Sequence, residues 1–366
     1  MPAESPPAQL KDWFDEKRYQ SLALELADLS TTFRKKLFLQ SVLDGLEERT
    51  LMQRLHQCAV AVEAALPGSF REKVEVLHRL APKIEHGFVA IFLSDFVASF
   101  GLHDFDFSLE SLREFTKHGS AEFAVRPFLI ADQKRALKTM RRWAEDECEH
   151  VRRLASEGSR PRLPWGMRLP SLVADPSPTA PILEALKGDS ALYVRKSVAN
   201  HLNDITKDHP EWVMERLEAW DLRNERQSWI AKHACRTLIK RGHPRALQLF
   251  GFAEGADVDA TLSVSPTSLS LGQRLVISAT VTSTSRKPQR LVIDYVIHYV
   301  KASGGSAAKV FKWTESELKG GAKLELSKSQ VIRDFTTRKH YSGSHQVELQ
   351  INGQRVASAV FDLSCA

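Results

Sequence analysis

The hydrophobic period of this chain changes once, near residue 256, and that change limits its fold more than any other feature. Upstream, stretches such as TTFRKKLFLQSVLDGLEERTLMQRLHQCAVAVEAAL place apolar residues three and four apart, with polar caps and Gly or Pro at the joints. This is the period of helices that bury one stripe. Downstream, LVISATVTS, LVIDYVIHYV and HQVELQINGQRVASAVFDL alternate apolar with polar residues, as half-buried strands do. Asn352-Gly353 in the last of these signals a two-residue hairpin. We therefore expect a mainly α chain: a helical domain over residues 1–255, then an all-β sandwich of immunoglobulin-like type over 256–366, joined through FAEGADVDA. Such a sandwich requires no paired cysteines.

With 366 residues, 43% of them hydrophobic and 26% charged, the chain can bury a core in each of two domains. No apolar run approaches the length of a membrane span, and MPAESPPAQLKDW lacks the basic start and apolar stretch of a leader. A cytoplasmic protein with no membrane partner is expected. Cys58, Cys148, Cys235 and Cys365 are scattered without metal-ligand spacing, so reduced thiols are expected rather than disulfides or a zinc site. Net charge is +6, distributed as −5 over residues 1–115, +7 over 116–245 and +4 over 246–366. A basic middle suits a polyanion, although charge alone fits a solvated helical surface equally well.

Within the helical region a single helix recurs: VRRLASEG from Val151, VRKSVANHL from Val194 and IAKHACRTL from Ile230. The spacing of these copies suits a solenoid of HEAT-like helix pairs, each burying its stripe against its neighbours; the alternative is an irregular helical domain. At about 100° per residue, Val194, Val198, Leu202 and Ile205 form an apolar stripe. Ser197, Asn200, Asp204 and Lys207 line one edge of it. His233, Arg236 and Lys240 hold that edge in the third repeat, and Glu157 holds it in the first. Stacked in parallel, the repeats would present carboxylates framed by basic side chains and amides.

From the residues alone each carboxylate has two readings. Glu157 precedes Gly158, which reads as a helix C-cap, so its charge faces the negative end of the helix dipole. It either pairs with Arg152, Arg153 or Arg160 or serves a cationic ligand. Asp204 is either a late-helix surface residue before Pro210 or a partner of Glu157 in that role. Glu122 follows Ser120, which reads as an N-cap, and a helix N-terminus accepts its charge without further duty. In RPRLPW, Pro161 and Pro164 stiffen a connector that carries Arg160, Arg162 and Trp165; Trp165 either fills a crevice or offers an aromatic face. The phosphate loop, the serine elbow, the dinucleotide fingerprint and paired metal histidines are all missing from the sequence.

AEFAVRPFL, VRRLASEGSRPRLPW, VRKSVANHLNDITKDHP and IAKHACRTLIKRGHPRAL together resemble the AlkC-type DNA alkylation repair proteins, relatives of the AlkD-type glycosylases built on HEAT-like repeats. The resemblance covers about residues 88 to 250, and the tail is similar to the immunoglobulin-like extension of one AlkC subgroup; the first 80 residues match only as generic helices. It implies monofunctional N-glycosylase activity on bases made cationic by N-methylation, such as 3-methyladenine, with 3-methylcytosine and 1-methyladenine as further substrates. It also implies Glu122, Glu157 and Asp204 as active-site residues, and Trp165 as an aromatic near the lesion or the DNA.

The chemistry agrees with those residue types. A cationic base departs neutral and needs little help from an acid, so the barrier is an oxocarbenium-like sugar that a carboxylate can stabilise. A Schiff-base mechanism would need Lys196, Lys207 or Lys232 strongly desolvated. Phosphate contacts are expected from Arg152, Arg153, Arg160, Arg162, Arg195, Lys196, Asn200, Lys207, Lys232, Arg236 and Lys240. The expected partner is double-stranded DNA containing alkylated bases, met on the bacterial nucleoid, by a monomer without metal or cofactor. The competing expectation is a non-catalytic HEAT-like scaffold for damaged DNA or a protein partner.

Overall fold

The computed structural model describes residues 10–253, 255–335 and 338–365. Most of the segment read for a leader, residues 1–9, lies outside the described residues, as does Glu254 in the expected joint. The chain forms two compact units, one of residues up to 209 with 221–234, the other of 210–220 with 235 onward.

In the first unit local chemistry starts the helices where the apolar period starts. Thr50 with Gln53, and Ser69 with Glu72, form capping boxes ahead of helices Leu51–Ala65 and Phe70–Leu80, satisfying backbone donors that the first turn leaves free. The buried stripe of Leu51–Ala65 includes Leu55, Cys58, Ala59 and Val62, the three- and four-residue spacing of an amphipathic helix.

The recurring helices occupy Glu149–Gly158, Leu192–Ile205 and Glu225–Ala234, the middle one packed between the other two. They run parallel. Arg152 of the first reaches Asp189, just ahead of the second; further along, the Ser156 carbonyl meets the His201 ring; near their ends Arg160 meets Asp204. Between the second and third, Asn203 donates to the Ala234 carbonyl. Val194, Val198, Leu202 and Ile205 are all buried, as the helical wheel requires. The third repeat departs from expectation: its helix stops at Ala234 and a short one begins at Arg236. At Cys235 ψ is 0°, far from the helical value near −42°, so the helix breaks there although the Cys235 carbonyl still accepts from the Ile239 N–H at 2.8 Å.

The second unit contains β1 (Val258–Ser265), β2 (Ser268–Ser270), β3 (Arg274–Ser283), β4 (Gln289–Val300), β5 (Ser306–Leu318), β6 (Lys323–Val331), β7 (Gly343–Ile351) and β8 (Gln354–Ser364). They form a three-stranded sheet, β1-β3-β6, and a five-stranded sheet, β2-β8-β7-β4-β5, antiparallel except for β2 with β8. Alternate residues Leu275, Ile277, Ala279 and Val281 of β3 point inward. Leu275 and Ile277 join Tyr295, Ile297, Val347 and Phe361 in one core cluster, giving the immunoglobulin-like sandwich. Asn352 and Gly353 connect β7 to β8 with φ of 47° and 83°, the left-handed pair that a type I′ hairpin needs.

This unit begins before the change of texture at 255/256, because pieces of helix upstream pack as part of it. Arg245 forks onto Glu218 and also pairs with Glu211, and Gln350 donates to the Lys240 carbonyl. The Gly242 and Gly353 backbones approach so closely that a Cβ on Gly353 would lie 2.1 Å from the Gly242 Cα.

Candidate active site

The three carboxylates singled out in the sequence lie on one chain of ion pairs. Arg153 pairs with Glu122 through Nη1 and lies 3.7 Å from Glu157 Oε1 through Nη2. Arg160 donates Nη1 to Glu157 Oε1 at 2.5 Å and places Nε and Nη2 2.9 and 2.8 Å from Asp204 Oδ2. Lys207 closes the chain on Asp204 Oδ1 at 3.0 Å. Parallel packing of the Glu149–Gly158 and Leu192–Ile205 helices makes this possible, because it brings Arg160, just beyond the first helix, beside Asp204 near the end of the second.

Glu157 and Asp204 are 5% and 4% exposed and Arg160 is 7% exposed. Burial disfavours the Arg160 charge, yet Glu157 and then Asp204 outweigh it and raise its pKa. The carboxylates differ in one respect. Both Asp204 oxygens are engaged by cations, whereas Glu157 Oε2 and Glu122 Oε1 make no hydrogen bond among the described residues and are not sealed from solvent. The open oxygen of Glu157 can face an incoming cation while the other oxygen stays anchored.

Several local expectations are corrected. Gly158 is not a left-handed cap: the helix includes it and is capped by Ser159. Its lack of a side chain serves packing, since a Cβ there would lie 2.5 Å from Val125 Cγ1. Nor does a helix start at Ser120. Residues 122–125 form a turn and the helix is Arg126–Ala131. The Ser120 hydroxyl donates to the Glu122 carboxylate at 2.7 Å and accepts from Arg153 at 2.9 Å.

The candidate phosphate contacts separate into two groups. Arg152 forks onto Asp189 and donates to the Asp146 and Glu147 carbonyls; Arg162 forks onto Asp208; Arg195 donates to the Asp189 and Ser190 carbonyls. With Arg153 and Arg160, these arginines are engaged by partners within the chain, the Arg162–Asp208 pair at its surface. Lys196 and Lys207 are exposed, and Lys196 forms no ion pair among the described residues. Asn200, Lys232, Arg236 and Lys240 are half-buried. Trp165 fills no crevice: it is 72% exposed, and its φ of 64° is unusual for a bulky side chain.

Two buried groups behind the ion pairs escape sequence reasoning. Arg126 donates to the carbonyls of Met167, Gly158 and Arg160; burial, then Arg160, lowers its pKa to about 10. His201 meets the Ser156 carbonyl through Nδ1, and burial, followed by the Arg160 charge, pushes its pKa to about 3. It is therefore a neutral spacer. An arginine inside the apolar run AEFAVRPFLI is the available signal for the first; His201 lies beside the buried stripe and offers none. A groove of about 290 Å³ adjoins Ser120 and is walled by Phe88, His118, His150 and Tyr193. Arg153 stacks over the Tyr193 ring at 4.9 Å. No group of three His, Cys, Asp or Glu residues among the described residues is arranged to hold a metal, and no described helix is long and apolar enough to cross a membrane.

Comparison with known proteins gives this geometry a family. Residues 65–238 match the model of the DNA alkylation repair enzyme family, and residues 258–365 match that of the C-terminal Ig-like domain of YhaZ. The uncharacterized Bacillus subtilis protein YhaZ is 40% identical over 349 residues, covering 95% of this chain and 97% of its own. The structure of the Pseudomonas fluorescens alkylpurine DNA glycosylase AlkC, bound to DNA containing an abasic site analog, is similar over 98% of this chain and 100% of its own, at 48% identity and a TM-score of 0.94. The chain belongs to the AlkC-type DNA alkylation repair proteins, with a HEAT-like helical region and a C-terminal immunoglobulin-like domain.

Proposed function

We propose that this protein is a monofunctional DNA glycosylase that hydrolyses the bond between deoxyribose and a cationic N-alkylated base, leaving an abasic site. Its substrates are 3-methyladenine and, through the same chemistry, 3-methylcytosine and 1-methyladenine. The observation that carries this reading is the string of Glu122, Glu157 and Asp204 on Arg153 and Arg160, with one Glu157 oxygen left open. The likeness to an alkylpurine DNA glycosylase supports it.

The cationic base takes the bonding electrons and departs neutral, so no general acid is required; positive charge then gathers on the sugar. Glu157 Oε2 stabilises that oxocarbenium-like sugar and orients the attacking water, whose oxygen bonds to the anomeric carbon as its proton passes to the carboxylate and on to solvent. Fixed charges in a dry site are worth far more than in bulk water. Asp204, with both oxygens occupied, holds Arg160 and thereby fixes Glu157. Glu122 holds Arg153 from the other side. Lys196 and Lys207, with Asn200, Lys232, Arg236 and Lys240, approach the DNA backbone; Trp165 lies against the lesion or its flanking base. Arg152, Arg153, Arg160, Arg162 and Arg195 support the site through partners within the chain.

The protein acts on double-stranded DNA as a monomer, on the bacterial nucleoid, without metal or cofactor. The deciding assay incubates duplexes carrying each lesion with the full chain in EDTA and measures freed base and strand breaks with and without alkali. Free base with breaks only after alkali is expected. No freed base from any of the three lesions overturns the enzyme reading in favour of a DNA-binding scaffold, and breaks without alkali overturn the monofunctional one.

A further inference from the structure

The segment from Gly158 to Met167 carries Arg160 and Trp165, yet it contains no regular structure beyond its first residue. Within it the Gly166 N–H donates to the Leu163 carbonyl, and its ends are tied from outside. Arg126, fully buried at the start of the Arg126–Ala131 helix, reaches both ends: Nη1 donates to the Gly158 and Arg160 carbonyls, each at 2.9 Å, and Nε to the Met167 carbonyl at 2.5 Å. Two glycines permit the close packing around it. A Cβ at Gly158 would strike Val125, next to Arg126 in sequence, and one at Gly166 would lie 3.4 Å from Arg126 Cδ and 3.3 Å from Phe123. A guanidinium presents several donors in a rigid fork, which a lysine cannot reproduce.

We infer that Arg126 is the positioning residue of this site: it clamps the 158–167 segment at both ends and so fixes Arg160 against Glu157 and Trp165 in its exposed left-handed pose. The inference rests on the glycosylase reading for its kinetic consequence but not for its structural one. Arg126 makes its hydrogen bonds to backbone carbonyls and not to the carboxylates. It acts only through the segment, and a displacement of about 1 Å in such a support costs on the order of 10²-fold in rate.

The test compares Arg126→Met and Arg126→Lys with the full-length protein. Hydrogen exchange should show loss of protection in the amides of residues 159–169 while the 192–205 helix stays protected. Base release from 3-methyladenine DNA at saturating protein should slow roughly 10²-fold for Arg126→Met, and less for Arg126→Lys, with DNA affinity within about threefold of wild type. In a Glu157→Gln background Arg126→Lys should add little further loss, because both act through one carboxylate. Unchanged loop protection in Arg126→Lys overturns the clamp. Losses that simply multiply with Glu157→Gln, or a wild-type rate in Arg126→Met beside an inactive Glu157→Gln, overturn its role in positioning. A wild-type protein that frees no base overturns the glycosylase reading, while hydrogen exchange still decides the clamp. Should Arg126→Met fail to fold, Arg126→Lys, which keeps the charge, carries the same measurements.

Discussion

The two units bury carboxylates in opposite ways. In the helical unit Glu157 and Asp204 are withdrawn from solvent only together with Arg160, whose guanidinium bonds both. In the β unit Asp294 of β4, beside a bulge in β5 at Trp313, is 1% exposed and makes no ion pair among the described residues. Gln350 donates to one of its oxygens, and the other has no partner. Burial raises the Asp294 pKa to about 6, with Lys240, Gln350, Lys312 and Arg355 only partly opposing it. A carboxylate buried with a guanidinium can hold an open oxygen ready for a cation. One buried alone becomes a pH-dependent cost to the fold.

Breaking the first arrangement should have the largest effect on folding. Arg160→Met leaves Glu157 and Asp204 without their shared cation, and the urea midpoint should report a loss of about 3–5 kcal/mol. A loss below about 1 kcal/mol would dissolve the contrast between the units. Adding Asp204→Asn to that variant should recover some of the stability, because one uncompensated charge disappears.

The second arrangement predicts a smaller effect with a definite sign. The Asp294 pKa in the folded protein lies above the ordinary 3.8, so its contribution is fully present below that value and is lost as pH rises through about 6. Asp294→Asn should therefore stabilise the β unit at pH 7.5 by roughly 1–3 kcal/mol, and the gain should shrink toward zero near pH 4. Chemical denaturation at both pH values measures it, and an equal difference at both would assign the effect to packing instead.

The smallest effect separates basic residues bound within the protein from those open to a ligand. Lys196→Ala should make the salt dependence of DNA binding shallower by about one unit in the log-log slope. Arg152→Ala should leave that slope unchanged while lowering stability, since its guanidinium already serves Asp189 and two carbonyls. Equal slope changes in both variants would erase the distinction.

These contrasts also explain what is legible in the sequence. Alternation in LVISATVTS and the left-handed Asn352-Gly353 pair are local signals, and they appear in the structure as an alternately buried β3 and a two-residue hairpin. The stripe Val194, Val198, Leu202 and Ile205 is equally local. The same wheel sets Glu157 and Asp204 on one edge but cannot show that Arg160 turns inward to bind both. The basic neighbours of Arg160 suggest a phosphate contact, and only the parallel packing of two distant helices decides otherwise. Gly158 is ambiguous in sequence because a left-handed cap and a close helix contact both favour glycine. Asp294 gives no warning in LVIDYVIHYV, where one acid in a strand reads as outward-facing, because the bulge that accompanies its burial is a matter of register.

The central claim is that Glu157, anchored by Arg160 and open at Oε2, stabilises the cationic sugar. Glu157→Gln tests it most directly, since the amide keeps the shape and removes the charge. Single-turnover release of 3-methyladenine from duplex DNA should fall by roughly 10²–10³-fold, with binding to the same duplex retained. Release by Glu157→Gln at the wild-type rate would contradict the account.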